Sequence, residues 1–192
     1  MTNEVPLRPD PLPLPAVGFV GSSGSGKTTL ITAVLPCLRE AGLRVAVLKH
    51  ARHGFDMDQP GKDSYRARAA GAAEVLVASR SRWVLLGECE GERDEPPFRE
   101  LLARFDRSRV DLVLVEGFAG EAVPKIEVYR PAHGEPPKCW PTDPRVVAVA
   151  TDAPLDVAPP AHRLDLNAAD AVARFVLAHL AATADLPVIH AA

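Results

Sequence analysis

The sequence predicts an α/β fold, a mostly parallel sheet flanked by helices with a β-hairpin extension. Three observations predict it. The glycine-rich segment Gly21–Thr28 stands between a short apolar run and an amphipathic stretch. Apolar runs of strand length recur at Arg44–Leu48, Asp111–Val115 and Val146–Ala150, and read as strands buried on both faces. Two further runs, Glu74–Ala78 and Arg82–Leu86, are parted only by Ser79-Arg80-Ser81, which is hairpin spacing.

Taken in order, residues 1–15 are rich in proline and are expected to form a disordered leader. Ala16–Val20 is a short apolar strand ending at glycine. A helix then runs from Thr28 to about Ala41, with Leu30, Ile31, Val34, Leu35 and Leu38 at helical spacing. Pro36 lies inside it and is expected to kink or shorten it. Gly42 is the stop, and Arg44–Leu48 the next strand. Strand, loop, helix and strand in that order demand a parallel pair with a right-handed crossover.

His50–Lys62 reads as a polar loop. Asp63 is placed to cap a helix ending near Ala70, before Gly71. The hairpin follows, then a charged loop and a short helix over Phe98–Phe105. After the Asp111–Val115 strand come a strand at Lys125–Tyr129, an exposed proline-rich stretch over 131–144, and the Val146–Ala150 strand. Leu164–Leu166 adds a short strand. Asn167 is expected to cap a last helix to about Ala182, with a loose tail over 183–192. The nucleotide-binding domain is thus expected over 16–182.

A chain of 192 residues suits one domain or one domain with a small extension. A net charge of −3 gives no electrostatic case for nucleic acid or an anionic membrane as partner. No apolar run approaches the ~20 residues that cross a bilayer, and the start lacks the pattern of a secretory signal. The three cysteines are scattered with no CxxC pair, so a reducing, cytoplasmic setting is the expectation.

Gly21-Ser22-Ser23-Gly24-Ser25-Gly26-Lys27-Thr28 matches G-x-x-x-x-G-K-[ST] at every fixed position, which makes the predicted sheet that of a P-loop NTPase. The glycines let backbone N–H groups approach phosphate oxygens, and the following helix adds the positive end of its dipole. Lys27 is expected on the β- and γ-phosphates as a point charge. The hydroxyl of Thr28 is expected on Mg²⁺, and Thr29 completes the nucleotide-binding set.

The Mg²⁺ site needs a second carboxylate from another strand. Val110–Gly117 offers Asp111 and Glu116. In a parallel sheet ligands lie beyond the carboxyl ends of the strands. Asp111 begins its strand, ~17 Å from Glu116 at ~3.3 Å per residue, so Glu116 is the metal candidate. Lys27 and Glu116 are the candidate catalytic residues.

Two more segments leave from the same edge. Lys49–Ser64 holds two histidines and three aspartates, and reads as a switch-like or acceptor-binding loop, a metal site, or a solvated loop. The Asn-Lys-x-Asp guanine-reading motif of regulatory GTPases is absent. Asp152, just past an apolar strand, is the candidate for reading the N1–H and N2–H₂ edge of guanine, with a turn or capping role as the alternative. No glutamine or arginine finger is identifiable near the phosphate edge, although Arg52 or an arginine from a partner could serve, so slow turnover is expected.

With these residues in place, the chain resembles the MobB family of molybdopterin-guanine dinucleotide biosynthesis adaptor proteins, which are P-loop GTPases. The matching segments are Gly21–Thr29, Leu48–Tyr65, Ala70–Ala73, Ser79–Trp83, Asp111–Phe118 and Val147–Asp152, within a span from about Ala16 to Phe175. The leader and Ala132–Pro141 have no counterpart in that pattern. The resemblance implies GTP and Mg²⁺ as ligands, slow hydrolysis and a homodimer. It also implies a partnership with the guanylyltransferase that joins GMP to molybdopterin, with molybdopterin or its guanine dinucleotide as a further ligand. It carries Gly24, Gly26, Lys27, Thr28 and Glu116 into nucleotide and Mg²⁺ roles. The competing functions are a P-loop small-molecule kinase, with Asp56 or Asp58 as base, and a metal-insertion GTPase using His50 and His53.

Overall fold

A computed structural model describes residues 11–52, 54–89, 95–155 and 161–183. The first ten residues, His53 and the tail beyond Thr183 lie outside the described residues. So do the parts of the sequence expectations that fall on them. The chain divides into two compact units, one made of residues up to His50 and from Phe98 onward, the other of Ala51–Pro97.

The first unit contains six strands: β1 (Ala16–Val20), β2 (Val45–Lys49), and then, after the second unit, strands at Leu112–Glu116, Lys125–Tyr129, Val146–Thr151 and His162–Asp165. With the hairpin strands β3 (Glu74–Ala78) and β4 (Trp83–Gly87) counted, these four are β5 to β8. The order across the sheet is β2-β5-β1-β6-β7-β8, and every pair is parallel. The chain moves from β1 to one side for β2 and β5, then to the other for β6 to β8. The central strand β1 therefore sits where the winding direction reverses, the place at which open α/β sheets bind ligands.

Both faces of this sheet are covered. Val17, Phe19, Leu112, Leu114, Ile126, Val128, Ala148 and Ala150 face helices α1 (Lys27–Glu40) and α4 (Ala169–Ala182), and pack on Leu30, Ile31, Val34, Leu38, Val172 and Val176. Ala16, Val113 and Val115 face the other way, onto Phe98 and Leu102 of helix α3 (Phe98–Ala103), with Leu14 buried beside them. This two-sided burial is why the central strands read as continuous apolar runs; β2, expected buried, lies at the sheet edge with no buried residue and Val47 39% exposed.

Several local expectations are corrected. Pro36 does not end α1, which runs through it to Glu40. Pro36 and Thr32 are both exposed, so the Thr32 carbonyl that loses its helical partner faces water, while Leu30, Ile31, Val34 and Leu38 stay packed on the sheet. Asn167 does not cap α4. The N-cap is Ala168, and the Asp165 carboxylate accepts the Asn167 N–H at 2.8 Å in a turn that precedes the helix. Asp63 is the first residue of helix α2 (Asp63–Ala69) and Lys62 the N-cap, so Asp63 serves the helix dipole and makes no capping bond.

The 131–144 stretch is mostly exposed, as expected, but is tied down at one point. After a 3₁₀ turn at Pro131–His133 it folds back onto β6, where the buried Glu127 carboxylate accepts the backbone N–H groups of Lys138, Cys139 (3.0 Å) and Trp140 (2.6 Å).

The second unit holds α2 and the antiparallel hairpin β3–β4. Ser79 closes the turn, its N–H and hydroxyl both donating to the Arg82 carbonyl. Asp58 is buried and organises the loop before α2: its two oxygens accept the Ser64 hydroxyl at 2.8 Å and Arg68 Nε at 3.3 Å. Among the described residues no helix is long and apolar enough to cross a membrane.

Candidate functional site

The site is built at the carboxyl edge of the first unit's sheet. β1 ends at Val20, and the loop Gly21–Gly26 leads into α1 at Lys27. Gly21, Gly24 and Gly26 have φ of 131°, 77° and 101°. These are backbone angles that L side chains rarely adopt, and a Cβ on Gly21 would collide with the Val128 carbonyl. Ser22 and Gly21 turn their carbonyls to the Lys27 ammonium, at 2.6 and 3.0 Å. Ser23 and Thr29 are exposed, whereas Ser25 is buried. The Ser25 hydroxyl is the buried polar side-chain atom that lacks a hydrogen-bond partner among the described residues. The first turn of α1 carries no acidic residue to compete for its N–H groups.

Beside this loop, Glu116 ends β5 with its side chain only about a tenth exposed. Its Oε1 accepts the Thr28 hydroxyl at 2.7 Å. Lys49, which ends β2 and is level with Glu116 in the parallel register, brings its ammonium to 3.1 Å from the same oxygen. Gly117 follows with φ 90°, where a Cβ would lie 3.1 Å from His50 Cβ, and the chain turns into the buried Phe118, on which the His50 ring packs at 5.0 Å. Asp111 lies outside β5 at the opposite edge and is tied to Arg44 at 2.6 Å, so the two carboxylates of this segment are separated as strand direction requires.

On the other side of the loop, Arg130 follows the end of β6. Its Nε donates to the Ser25 carbonyl at 3.1 Å, and its Nη1 pairs with the Asp152 carboxylate just past β7. One guanidinium thus joins the glycine loop to Asp152. Arg130 is therefore an arginine near that edge, but it is engaged by its two partners.

A family model described as Molybdopterin guanine dinucleotide synthesis protein B matches residues 16–152. The chain belongs to the MobB family. It is 43% identical over 166 residues to the molybdopterin-guanine dinucleotide biosynthesis adapter protein of Escherichia coli K12, a match covering 85% of this chain and 92% of that protein. The adapter protein of the same name from Haemophilus influenzae Rd is 40% identical over 178 residues, covering 92% and 90%. Among solved structures, one of molybdopterin-guanine biosynthesis protein B superposes with a TM-score of 0.65 at 30% identity, over 86% of this chain and 99% of that one. Bacillus subtilis MobB gives 0.59 at 26% identity, over 91% and 99%. The parallel sheet with its separate hairpin is therefore the family's fold.

Within this MobB-family chain, the structure gathers Gly21–Thr28 and Glu116 at one place, and sets Asp152 beside the loop through Arg130. The Ala51–Ser64 segment falls in the second unit. There Asp58 is already committed to Ser64 and Arg68. Among the described residues no three His, Cys, Asp or Glu side chains are placed to hold a metal.

Sequence reasoning missed Lys49 and Arg130. Each is a cation at or just past the carboxyl end of a parallel strand, and that position was the available signal. The residues present do fit a polyphosphate with Mg²⁺: a glycine cradle at a helix N-terminus, a buried hydroxyl in need of a partner, and two hard oxygen donors, Thr28 and Glu116, already in contact.

Proposed function

We propose that this chain is a GTP-binding adapter with weak GTPase activity in molybdopterin-guanine dinucleotide biosynthesis. In this reading it works as a cytoplasmic homodimer beside the guanylyltransferase that joins GMP to molybdopterin, with molybdopterin or its guanine dinucleotide as the other ligand. The observation that carries the nucleotide part is the 2.7 Å hydrogen bond from Thr28 at the start of α1 to Glu116 at the end of β5. It brings a hydroxyl and a carboxylate from different elements together beside a glycine loop.

The chemistry follows from the residues. Backbone N–H groups of the Ser23–Gly26 turn and the first turn of α1 hold phosphate oxygens. Lys27 leaves its two carbonyl partners and neutralises the β- and γ-phosphates. Thr28 and Glu116 hold Mg²⁺, which when bound offsets phosphate charge. Asp152 accepts hydrogen bonds from the guanine edge, positioned by Arg130. Arg130 is spent on Ser25 and Asp152, so this arginine does not stabilise charge at the transferring phosphoryl, which fits slow hydrolysis. Asp58 is spent likewise, which leaves a kinase reading without that base.

Self-association is supported by the hairpin. Leu76, Leu85 and Trp83 share one face of β3–β4 and are exposed, and a two-stranded sheet alone is marginally stable in water.

The test is a binding and product assay with GTP, ATP and molybdopterin, with and without the guanylyltransferase. An adapter binds GTP, forms only GDP and phosphate slowly, and associates with the transferase. A phosphorylated acceptor, or ATP preferred over GTP, would refute the proposal.

A further inference from the structure

Lys49 makes a contact that the nucleotide site as described does not use. Its ammonium lies 3.1 Å from Glu116 Oε1 and donates to Thr28 Oγ1 at 3.2 Å. Thr28 in turn donates its only hydroxyl proton to that same Glu116 oxygen at 2.7 Å. A hydroxyl has one proton to give and two lone pairs to offer. The Thr28 proton is fixed on Glu116, and one lone pair is occupied by a lysine N–H. Those are the two oxygens that would hold Mg²⁺.

A small divalent ion needs close oxygen ligands, about 2.1 Å away in near-octahedral geometry. Thr28 has a second lone pair to offer, but the ion would sit close to an ammonium that already holds both oxygens, and is repelled by its charge. Lys27 and Lys49 together outnumber the single Glu116 carboxylate, so the site without phosphate is net positive. The Lys49 side chain is 53% exposed and can swing out at small cost.

Resting on the nucleotide reading above, we propose that Lys49 competes with Mg²⁺ for Thr28 and Glu116. The metal is then accepted only in company with a polyphosphate that supplies negative charge and draws the ammonium away. Lys49 is a positioning residue that keeps the hydroxyl–carboxylate pair assembled and excludes free divalent cations.

The test is Mn²⁺ binding followed by electron paramagnetic resonance, with no nucleotide present. Lys49→Met should bind Mn²⁺ at least about tenfold more tightly than the native chain. The gain should vanish in Lys49→Met with Glu116→Gln, and Lys49→Arg should resemble the native chain. Equal Mn²⁺ affinity in Lys49→Met and native protein overturns the proposal, as does a gain that survives Glu116→Gln. A merely structural lysine would lower the melting temperature without creating metal affinity. Calorimetric titration of native protein with GTP reports separately on the nucleotide reading, so either can fail alone.

Discussion

Lys49 and Glu116 are register partners at the ends of adjacent parallel strands, and their side chains meet there at 3.1 Å. The pairing is a product of topology. β2 lies beside β5 and β5 beside β1, so the last residues of two strands and the loop after a third share one edge. Each side chain reaches the site from a backbone fixed by the core beneath it.

Glu116→Gln keeps the shape and the hydrogen bond from Thr28 but removes the charge. The Mg²⁺ dependence of GTP binding should weaken, with apparent Mg²⁺ affinity falling about tenfold or more, since charge-assisted contacts are worth about 1.5–3 kcal/mol. An unaltered Mg²⁺ titration would count against the metal role of Glu116.

Asp152→Asn exchanges an acceptor pair for one acceptor and one donor, which mismatches the guanine edge. Preference for GTP over ATP should erode by about tenfold. Arg130→Met should erode it as well, by releasing Asp152 from its paired position. Competition binding with the two nucleotides measures this, and an unchanged ratio in Asp152→Asn removes that residue from base recognition.

Lys125 is fully buried at the start of β6, donating to Asp143 Oδ2 and to the Glu121 carbonyl, each at 2.7 Å. Burial pushes the Asp143 carboxyl up, but hydrogen bonds from Arg145 and Lys125 outweigh this and hold it well below the usual carboxylate range. A depressed folded pKa stabilises fully above the unfolded value near ~3.9, and the contribution is lost as pH falls through the folded value. Asp143→Asn should cost about 3 kcal/mol at pH 7, because it leaves a buried ammonium unpaired. Urea unfolding should show the gap between native and variant protein constant from pH 7 to about 5 and shrinking as pH falls below about 4. A gap independent of pH would contradict the assignment.

Trp83 and Leu76 stand 64% and 62% exposed on the hairpin. Changing both to Glu should convert the proposed dimer to monomer in light scattering, with melting of the parallel-sheet unit little affected. An unaltered mass would place self-association elsewhere.

The central parallel strands were legible because burial on both faces removes polar residues from their middles. The strand ends were less so. β2, β5 and β7 each run one residue further than the apolar pattern, to Lys49, Glu116 and Thr151, because ladder hydrogen bonds use backbone and ignore side-chain polarity. The glycine loop, Thr28 and Glu116 could be read from spacing and strand direction. Arg130 and Lys49 could not be assigned partners, since their contacts join segments far apart in the chain. The same holds for Glu127, whose grip on residues 138–140 ties a mostly exposed stretch to β6 and buries Cys139. Asn167 does not cap α4 because its N–H is held by Asp165 in the turn before the helix, whose N-cap, Ala168, has no side-chain capping bond.

The most direct measurement is a calorimetric titration of native protein and Lys27→Ala with GTP in excess Mg²⁺. The account predicts one GTP per chain in the native protein. In the variant, affinity should fall roughly ten- to a hundredfold while the far-ultraviolet spectrum stays the same. Equal affinity in the two proteins, or no binding to the native one, would contradict a phosphate-holding loop at Gly21–Thr28.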